Sequence, residues 1–460
     1  MRRFFIGILV LALGANPLLA QQIAPFKEND RVVFLGNSIT DGGHYHAYVW
    51  LYYMTRFPTM NLTILNAGIG GDRVGDMLKR LDGDVFSKQP TVLFTTFGMN
   101  DSGYFEYNGS EPEKFADEKV KESHNGYKQM EERYKGLVGT RIVLLGSSPY
   151  DEDVVIPDNT SLKNKNKAML RIVDFQRASA TANKWEFLDF NEPMTAISKR
   201  VQQEDPSFTL SGNDRVHPDL DGHMVMAYLL LKAQGFSGQK VAEMEIDASN
   251  QKIINASNCN LSDIVKTGTG WSFDYHANAL PYPLDTVARG WGSKKSQFDA
   301  LAVVPFMEEM NQELLIVKGL KGNYKLLIDG EEIGKWSAAE FAKGINLAAL
   351  DNTPQYQQAL RIMHLNEERW EIERRFRDYA WVQYNFFQPK GLLDANNRRA
   401  IEVFDQFKEK DGWLRAKRDL YSKAMFPEVR QAWQHEMDVL LQTIKHVSIP
   451  KTRKISLVRN

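Results

Sequence analysis

The sequence predicts an α/β fold built on a parallel five-stranded sheet, followed by a small β-rich module and a helical C-terminal region. Three observations carry this. Short β-like runs alternate with longer amphipathic stretches up to Phe236, the helical period gives way to short β-like runs past Gly235, and it returns from about Thr353. Strands separated by helices run parallel, and the helices then cover both faces of the sheet.

The β-like runs are Val32-Val33-Phe34-Leu35, Leu62-Thr63-Ile64-Leu65, Thr91 to Phe97, Arg141 to Leu145 and Trp185-Glu186-Phe187-Leu188. Each is apolar, short and rich in β-branched or aromatic residues. Helical patterns fall between them at Tyr45 to Phe57, Val74 to Leu81, Glu113 to Leu137 and Leu162 to Ala182, with another at Leu220 to Lys232. In such sheets the chemistry sits in loops beyond the carboxyl ends of the strands, which selects the segments to inspect. The chain divides into 1–20, an export signal; 25–236, the α/β domain; 240–350, a β-rich accessory module; and 353–460, a helical C-terminal region.

Composition narrows the function classes. The 460 residues are 43% hydrophobic and 25% charged, and 57 basic residues nearly cancel 58 acidic ones. No global field draws the chain to nucleic acid or to an anionic membrane. The amino terminus reads as an address, with Arg2-Arg3, an apolar run from Phe4 to Leu13, and Ala20 before a cut at Gln21. That run is too short to span a bilayer, and no cysteine follows the cut to carry a lipid. Export to the periplasm or out of a bacterium is expected, with no stable membrane insertion after cleavage. The lone Cys259 cannot form an internal disulfide, so packing alone must hold the exported chain.

Four loops then stand out. After the first run comes Gly36-Asn37-Ser38-Ile39-Thr40, a serine presented at a strand end. Thr40 occupies the place of the second glycine, so this is not the G-x-S-x-G elbow. After the second comes Asn66-Ala67-Gly68-Ile69-Gly70-Gly71-Asp72-Arg73, where Arg73 breaks the G-x-G-x-x-G dinucleotide pattern. Its glycines either permit a tight turn or offer backbone N–H groups to an anion. After the third comes Gly98-Met99-Asn100-Asp101, whose asparagine either closes a turn or donates to an oxyanion. Last comes Asp214-Arg215-Val216-His217-Pro218, where a turn lets the carboxylate accept from the imidazole Nδ1 while Nε2 faces outward.

Taken together, these four blocks resemble the SGNH (GDSL) hydrolase family, over roughly residues 28 to 235. The resemblance implies a flavodoxin-like three-layer sandwich and a serine esterase without metal or cofactor. It implies Ser38 as nucleophile, His217 as base and Asp214 as orienting acid. The oxyanion hole would be the Ser38 and Gly71 backbone N–H groups with the Asn100 side chain. One departure is Asn37, where the family usually has aspartate; asparagine keeps loop hydrogen bonds but removes a charge beside the nucleophile.

Other residues flank these blocks. His44 and His46 lie two apart, a spacing that points them to different helix faces, so substrate contact or a surface role is expected rather than a metal. Arg73 either touches substrate or forms a salt bridge, and Tyr104, Phe105 and Tyr107 either wall a sugar site or pack on the following helix. In the second half, Leu301 to Pro305, Glu313 to Val317 and Tyr324 to Ile328 read as strands, and Asp329-Gly330 as a hairpin turn. Trp271, Tyr275, Tyr282 and Trp291 are either core or sugar platforms. Tyr356 to Phe376 and Val429 to His446 read as helices whose charges form a solvated face.

The expected function is an exported serine esterase acting on small acyl groups, acetyl above all, on carbohydrates. The expected partner is a small-molecule or glycan ester, with no nucleic acid. A lipolytic or aryl-ester hydrolase with the same triad, and a catalytically impaired carbohydrate-binding protein, are the alternatives.

Overall fold

Val32 to Gly36 are buried without interruption, as an apolar run in the middle of a parallel sheet must be. The computed structural model describes residues 22–268, 270–289, 294–407, 409 and 412–460. The segment 1–20 read as an export signal and Trp291 lie outside the described residues. Strands β1 (Arg31–Gly36), β2 (Thr63–Gly68), β3 (Val92–Phe97), β4 (Arg141–Gly146) and β5 (Glu186–Asp189) form one parallel sheet in the order β2-β1-β3-β4-β5. The order reverses at β1, which opens a crevice beyond the carboxyl ends of β1 and β3. Ser38 and Asn100 follow those two ends.

Helices α1 (Ser38–Asp41), α2 (Tyr45–Arg56), α3 (Val74–Lys79), α4 (Pro112–Lys135), α5 (Lys165–Asn183), α6 (Asn191–Gln202) and α7 (Leu220–Ala233) complete this domain. Val32 and Phe34 face a core shared with α2 and α7, whereas Val33 and Leu35 face one shared with α3, α4 and α5. The alternation along β1 thus feeds two helical layers, giving the three-layer sandwich.

The middle module is a sandwich of two sheets. One holds β6 (Ala242–Asp247), β7 (Lys252–Ser257), β10 (Glu313–Lys318) and β13 (Ile345–Asn346) in the order β13-β10-β6-β7. The other holds β8 (Cys259–Thr267), β9 (Gly270–Ala277), β11 (Asn323–Ile328), β12 (Glu331–Ser337) and β14 (Arg453–Arg459) in the order β12-β11-β14-β9-β8. Met244, Leu315 and Val317 of the first meet Phe273, Leu326, Ile328, Ile455 and Leu457 of the second in one core. Asp329 and Gly330 turn β11 into β12 with φ of +53° and +89°. Tyr275 and Tyr282 are buried and Trp271 packs partly against the sandwich core, so these aromatics are not free platforms.

Two expectations are corrected. Leu301 to Pro305 is not a strand: a helical turn, Phe298–Ala302, leads into α8 (Phe306–Met310), burying Ala300, Val304 and Phe306 against the α7 side of the first core. A five-residue apolar run fits either period. The helical region likewise does not run to the chain's end, because β14 returns to the sandwich between β9 and β11.

Helix α9 (Ala338–Lys343) links β12 to β13, and α10 (Pro354–Trp381), α11 (Arg398–Asp405), α12 (Gly412–Ala424) and α13 (Pro427–Ser448) lie between β13 and β14. The charges of α10 do not all face solvent, since Arg369, Glu373 and Arg377 are buried. α10 lies along α2, α13 and the edge strand β2, so more than one of its faces is covered.

Candidate active site

Ser38 opens α1, and the backbone turns there because the Asn37 side chain caps the helix, accepting the Ile39 N–H at 3.0 Å. An amide carbonyl serves this as well as a carboxylate would. Behind it Thr40 is fully buried, its hydroxyl 3.0 Å from that of Tyr45. β2 approaches α1 so closely that a Cβ on Gly68 would lie 2.3 Å from the Asp41 nitrogen. Asn66 fastens the two, donating to Thr40 O at 2.8 Å and accepting the Gly68 N–H at 2.8 Å.

The loop before α7 brings His217 to Ser38. Ser38 Oγ lies 2.8 Å from His217 Nε2, and His217 Nδ1 lies 2.5 Å from Asp214 Oδ2. An ionised carboxylate only accepts, so Nδ1 carries the proton and Nε2 is left to accept from the serine. Asp214 Oδ1 also accepts the Val216 and His217 N–H groups at 2.9 and 3.0 Å. Desolvation opposes ionisation of Asp214, but the bonds from the His217 ring and the two backbone N–H groups, with the attraction of the ring when it takes up a second proton, outweigh it and hold its pKa at about 2. The His217 and Asp214 side chains are 48% and 52% exposed, so the pair opens to solvent and to anything dissolved in it. A hydroxyl so placed can pass its proton to the imidazole while attacking a carbonyl.

Asn100 follows β3. Its Nδ2 donates to Asp72 O at 3.0 Å and its Oδ1 accepts from the Tyr104 hydroxyl at 2.7 Å, which fixes the amide's orientation and leaves a second N–H on Nδ2. Gly71 sits at φ +85°, a left-handed conformation that glycine adopts freely. Asp72 beside it is buried; burial raises its pKa to about 6 against the pull of Arg80. Arg80, fully buried, donates to Asp72 at 2.7 Å, to Asp84 at 2.5 Å and to Gly36 O at 3.3 Å, tying the glycine loop to the end of β1.

The remaining flanking residues separate. His46 is core: it is buried, its Nε2 is 3.2 Å from Thr40 O, and burial lowers its pKa to about 3. His44 is not a free surface group, since its ring stacks on Tyr48 and Trp370 and meets His223 edge-on. Burial lowers its pKa to about 4, so it is neutral. Arg73 is half exposed and 4.0 Å from Glu122. Phe105 is 83% exposed, beside the tyrosine that touches Asn100, whereas Tyr107 is buried. Among the described residues, no group of His, Cys, Asp and Glu could hold a metal ion, and no helix is long and apolar enough to cross a membrane.

Comparison with known proteins adds to this geometry. A GDSL-like lipase/acylhydrolase family model matches residues 34–225, and a diltiazem deacetylase C-terminal helical domain model matches 360–449. An acetylxylan esterase of Geobacillus stearothermophilus is 24% identical over 227 residues, covering 45% of this chain and 94% of that protein. The solved structure of a gut microbial diltiazem-metabolizing enzyme is 62% identical, covers 96% of this chain and 100% of its own, and superposes with a TM-score of 0.94. The chain belongs to the SGNH (GDSL) hydrolase family. It is a carboxylic ester hydrolase.

Several residues that shape this SGNH hydrolase site carry no sequence signal of their own. Arg215, inside the Asp-x-x-His turn, is buried at φ +64°. Its guanidinium donates to Asp151 O, Val154 O and Asn159 O at 3.1, 2.6 and 2.7 Å, anchoring the turn to the loop after β4. From the other side, α10 reaches the site directly. Glu373 accepts the Asn66 N–H of edge strand β2 at 2.9 Å, and Arg377 Nε donates to Asp41 Oδ1 at 2.7 Å. Asp41 Oδ2 accepts the Gly70 N–H at 3.3 Å, and Asn385, just past α10, reaches Asp72 at 3.3 Å. The C-terminal helical domain thus grips both the serine turn and the glycine loop.

Proposed function

We propose that this SGNH hydrolase removes small acyl groups, acetyl above all, from carbohydrate esters through an acyl-enzyme on Ser38. The observation that carries the reading is the unbroken chain from Ser38 Oγ through His217 to Asp214. His217 Nε2 takes the Ser38 proton as Oγ bonds to the ester carbon, and the carbonyl electron pair moves onto oxygen. The Ser38 and Gly71 N–H groups and the second Asn100 N–H stabilise that oxyanion. Its collapse breaks the bond to the alkoxide, which leaves with the proton from His217. Water then repeats the cycle and releases the acid.

The acyl choice rests on the relatives, an acetylxylan esterase and a diltiazem-metabolizing enzyme, and on the deacetylase C-terminal domain. The carbohydrate choice rests on the first of these and on exposed Phe105, an apolar face for a sugar ring. The 62% identity to the diltiazem-metabolizing enzyme, with the diltiazem deacetylase C-terminal domain, favours a second reading, removal of acetyl from diltiazem. Acetate release from acetylated xylo-oligosaccharides, other acetylated glycans and diltiazem ranks the two. Ser38→Ala is expected to abolish release on all of them. Equal turnover by wild type and Ser38→Ala would leave a binding protein, and a strong preference for long-chain nitrophenyl esters would leave a lipolytic enzyme. The amino-terminal reading places the reaction outside the cytoplasm; sequencing the mature protein's first residues in cell fractions tests this.

A further inference from the structure

Lys165, the first residue of α5, has no accessible surface, although lysine is among the residues least often buried whole. Its ammonium donates to Met99 O at 2.7 Å, Ser102 Oγ at 2.7 Å and Gly103 O at 2.5 Å. These acceptors bracket Asn100 in sequence. The same ammonium lies 4.0 Å from the centroid of the Tyr104 ring, within cation–π range. The Tyr104 hydroxyl in turn donates to Asn100 Oδ1 at 2.7 Å. Ser102 Oγ, while accepting from the lysine, donates to Met99 O at 3.1 Å, so the loop closes on itself around one cation. Burial lowers the Lys165 pKa to about 7, against the attraction of Asp101 and Glu152. Burying an amine is costly unless its donors are all met, and here three acceptors meet them.

We propose that Lys165 is a positioning residue for the oxyanion hole, acting through Tyr104 to hold the Asn100 amide with its second N–H toward the developing oxyanion. This rests on the acyl-transfer reading above. Tyr104 then serves the amide through its hydroxyl rather than the substrate, which separates its effect on kcat from any effect on KM.

The test is a double-mutant cycle on p-nitrophenyl acetate with the full-length protein. Asn100→Ala is expected to lower kcat about 100- to 1000-fold. Tyr104→Phe, which removes only the hydroxyl, should lower kcat about 10-fold with KM within about 2-fold. Lys165→Met should lower kcat by a similar factor, because the lysine acts on the amide through that hydroxyl. Neither should lower kcat again in the Asn100→Ala background, because the amide they position is gone. Losses that multiply in that background, wild-type kcat in Tyr104→Phe, or a rise in KM alone would overturn the inference. Where Lys165→Met does not fold, Ser102→Ala, which removes one of the three acceptors that hold the ammonium, takes its place and is expected to lower kcat in the wild-type background but not in Asn100→Ala. Ester turnover that survives Ser38→Ala strikes the acyl-transfer reading instead and is distinguishable from all of these.

Discussion

Replacing Arg377 by alanine tests whether the C-terminal helical domain takes part in the site or only packs behind it. The Arg377 side chain is 3% exposed and its Nε pairs with Asp41 at 2.7 Å. Removing one partner of a fully buried pair typically costs about 3–5 kcal/mol, since the other charge is stranded. Two features of this pair lower that figure. Asp41 is 29% exposed and regains water, and buried Glu373, which faces Arg377 Nη1 at 4.0 Å, keeps its closer partner Arg369 at 3.1 Å. A loss of about 2 kcal/mol is therefore expected, read as a lower urea midpoint at unchanged m-value. Activity should fall as well, because Asp41 also holds the Gly70 N–H at 3.3 Å beside the glycine loop. Freed from Arg377, the carboxylate can turn away, and a kcat loss of about 10-fold corresponds to roughly 1.4 kcal/mol from displacing the oxyanion donors proposed above. Nitrophenyl acetate turnover well below the unfolding range measures it. A destabilised Arg377→Ala with wild-type kcat would refute the coupling, and an unchanged midpoint would refute the energetics.

Asp214→Asn should keep its fold, since the side chain is half exposed, yet lose activity on the order of 10⁴-fold, because asparagine no longer selects the His217 tautomer that faces Ser38; kcat together with circular dichroism checks both halves. Gly71→Ala meets no atom within 4 Å, so its cost is the left-handed backbone alone, about 1–2 kcal/mol, with kcat lowered if the N–H shifts. Glu313 is buried with Oε1 bonded to Tyr275 and Gln355, and burial raises its pKa from 4.5 to about 7. The native state then holds a proton the unfolded chain has released, so this group's contribution falls as pH rises from 4.5 toward 7. Glu313→Gln should remove about 3 kcal/mol of that fall, seen by comparing urea midpoints at pH 5 and pH 8.

The sheet and the four loops were legible because both rest on local patterns. Apolar runs of strand length, spaced by helical periods, dictate a parallel sheet, and its carboxyl edge collects whatever chemistry the following loops carry. The Asp329-Gly330 turn was legible for the same reason. What stayed hidden was charge taken inside. Arg80, Lys165, Arg215, Glu373 and Arg377 look in sequence like any solvated helix or turn residue, and only partners distant along the chain bury them. The return strand was hidden differently. Ile455 and Leu457 alternate as a strand should, but the basic residues around them mask the period.

That return strand bears on how the molecule is made. β14 is the middle member of its sheet, hydrogen-bonded to β9 on one side and β11 on the other. Until residues 453–459 arrive, the β8–β9 and β11–β12 hairpins have no common partner, and a ribosome will already have delivered all of α10 to α13. Closing so long a loop comes late and slowly compared with pairing of neighbours. During synthesis the exposed edges of β9 and β11 are the places where a chaperone, or a second nascent chain, would find an unpaired strand.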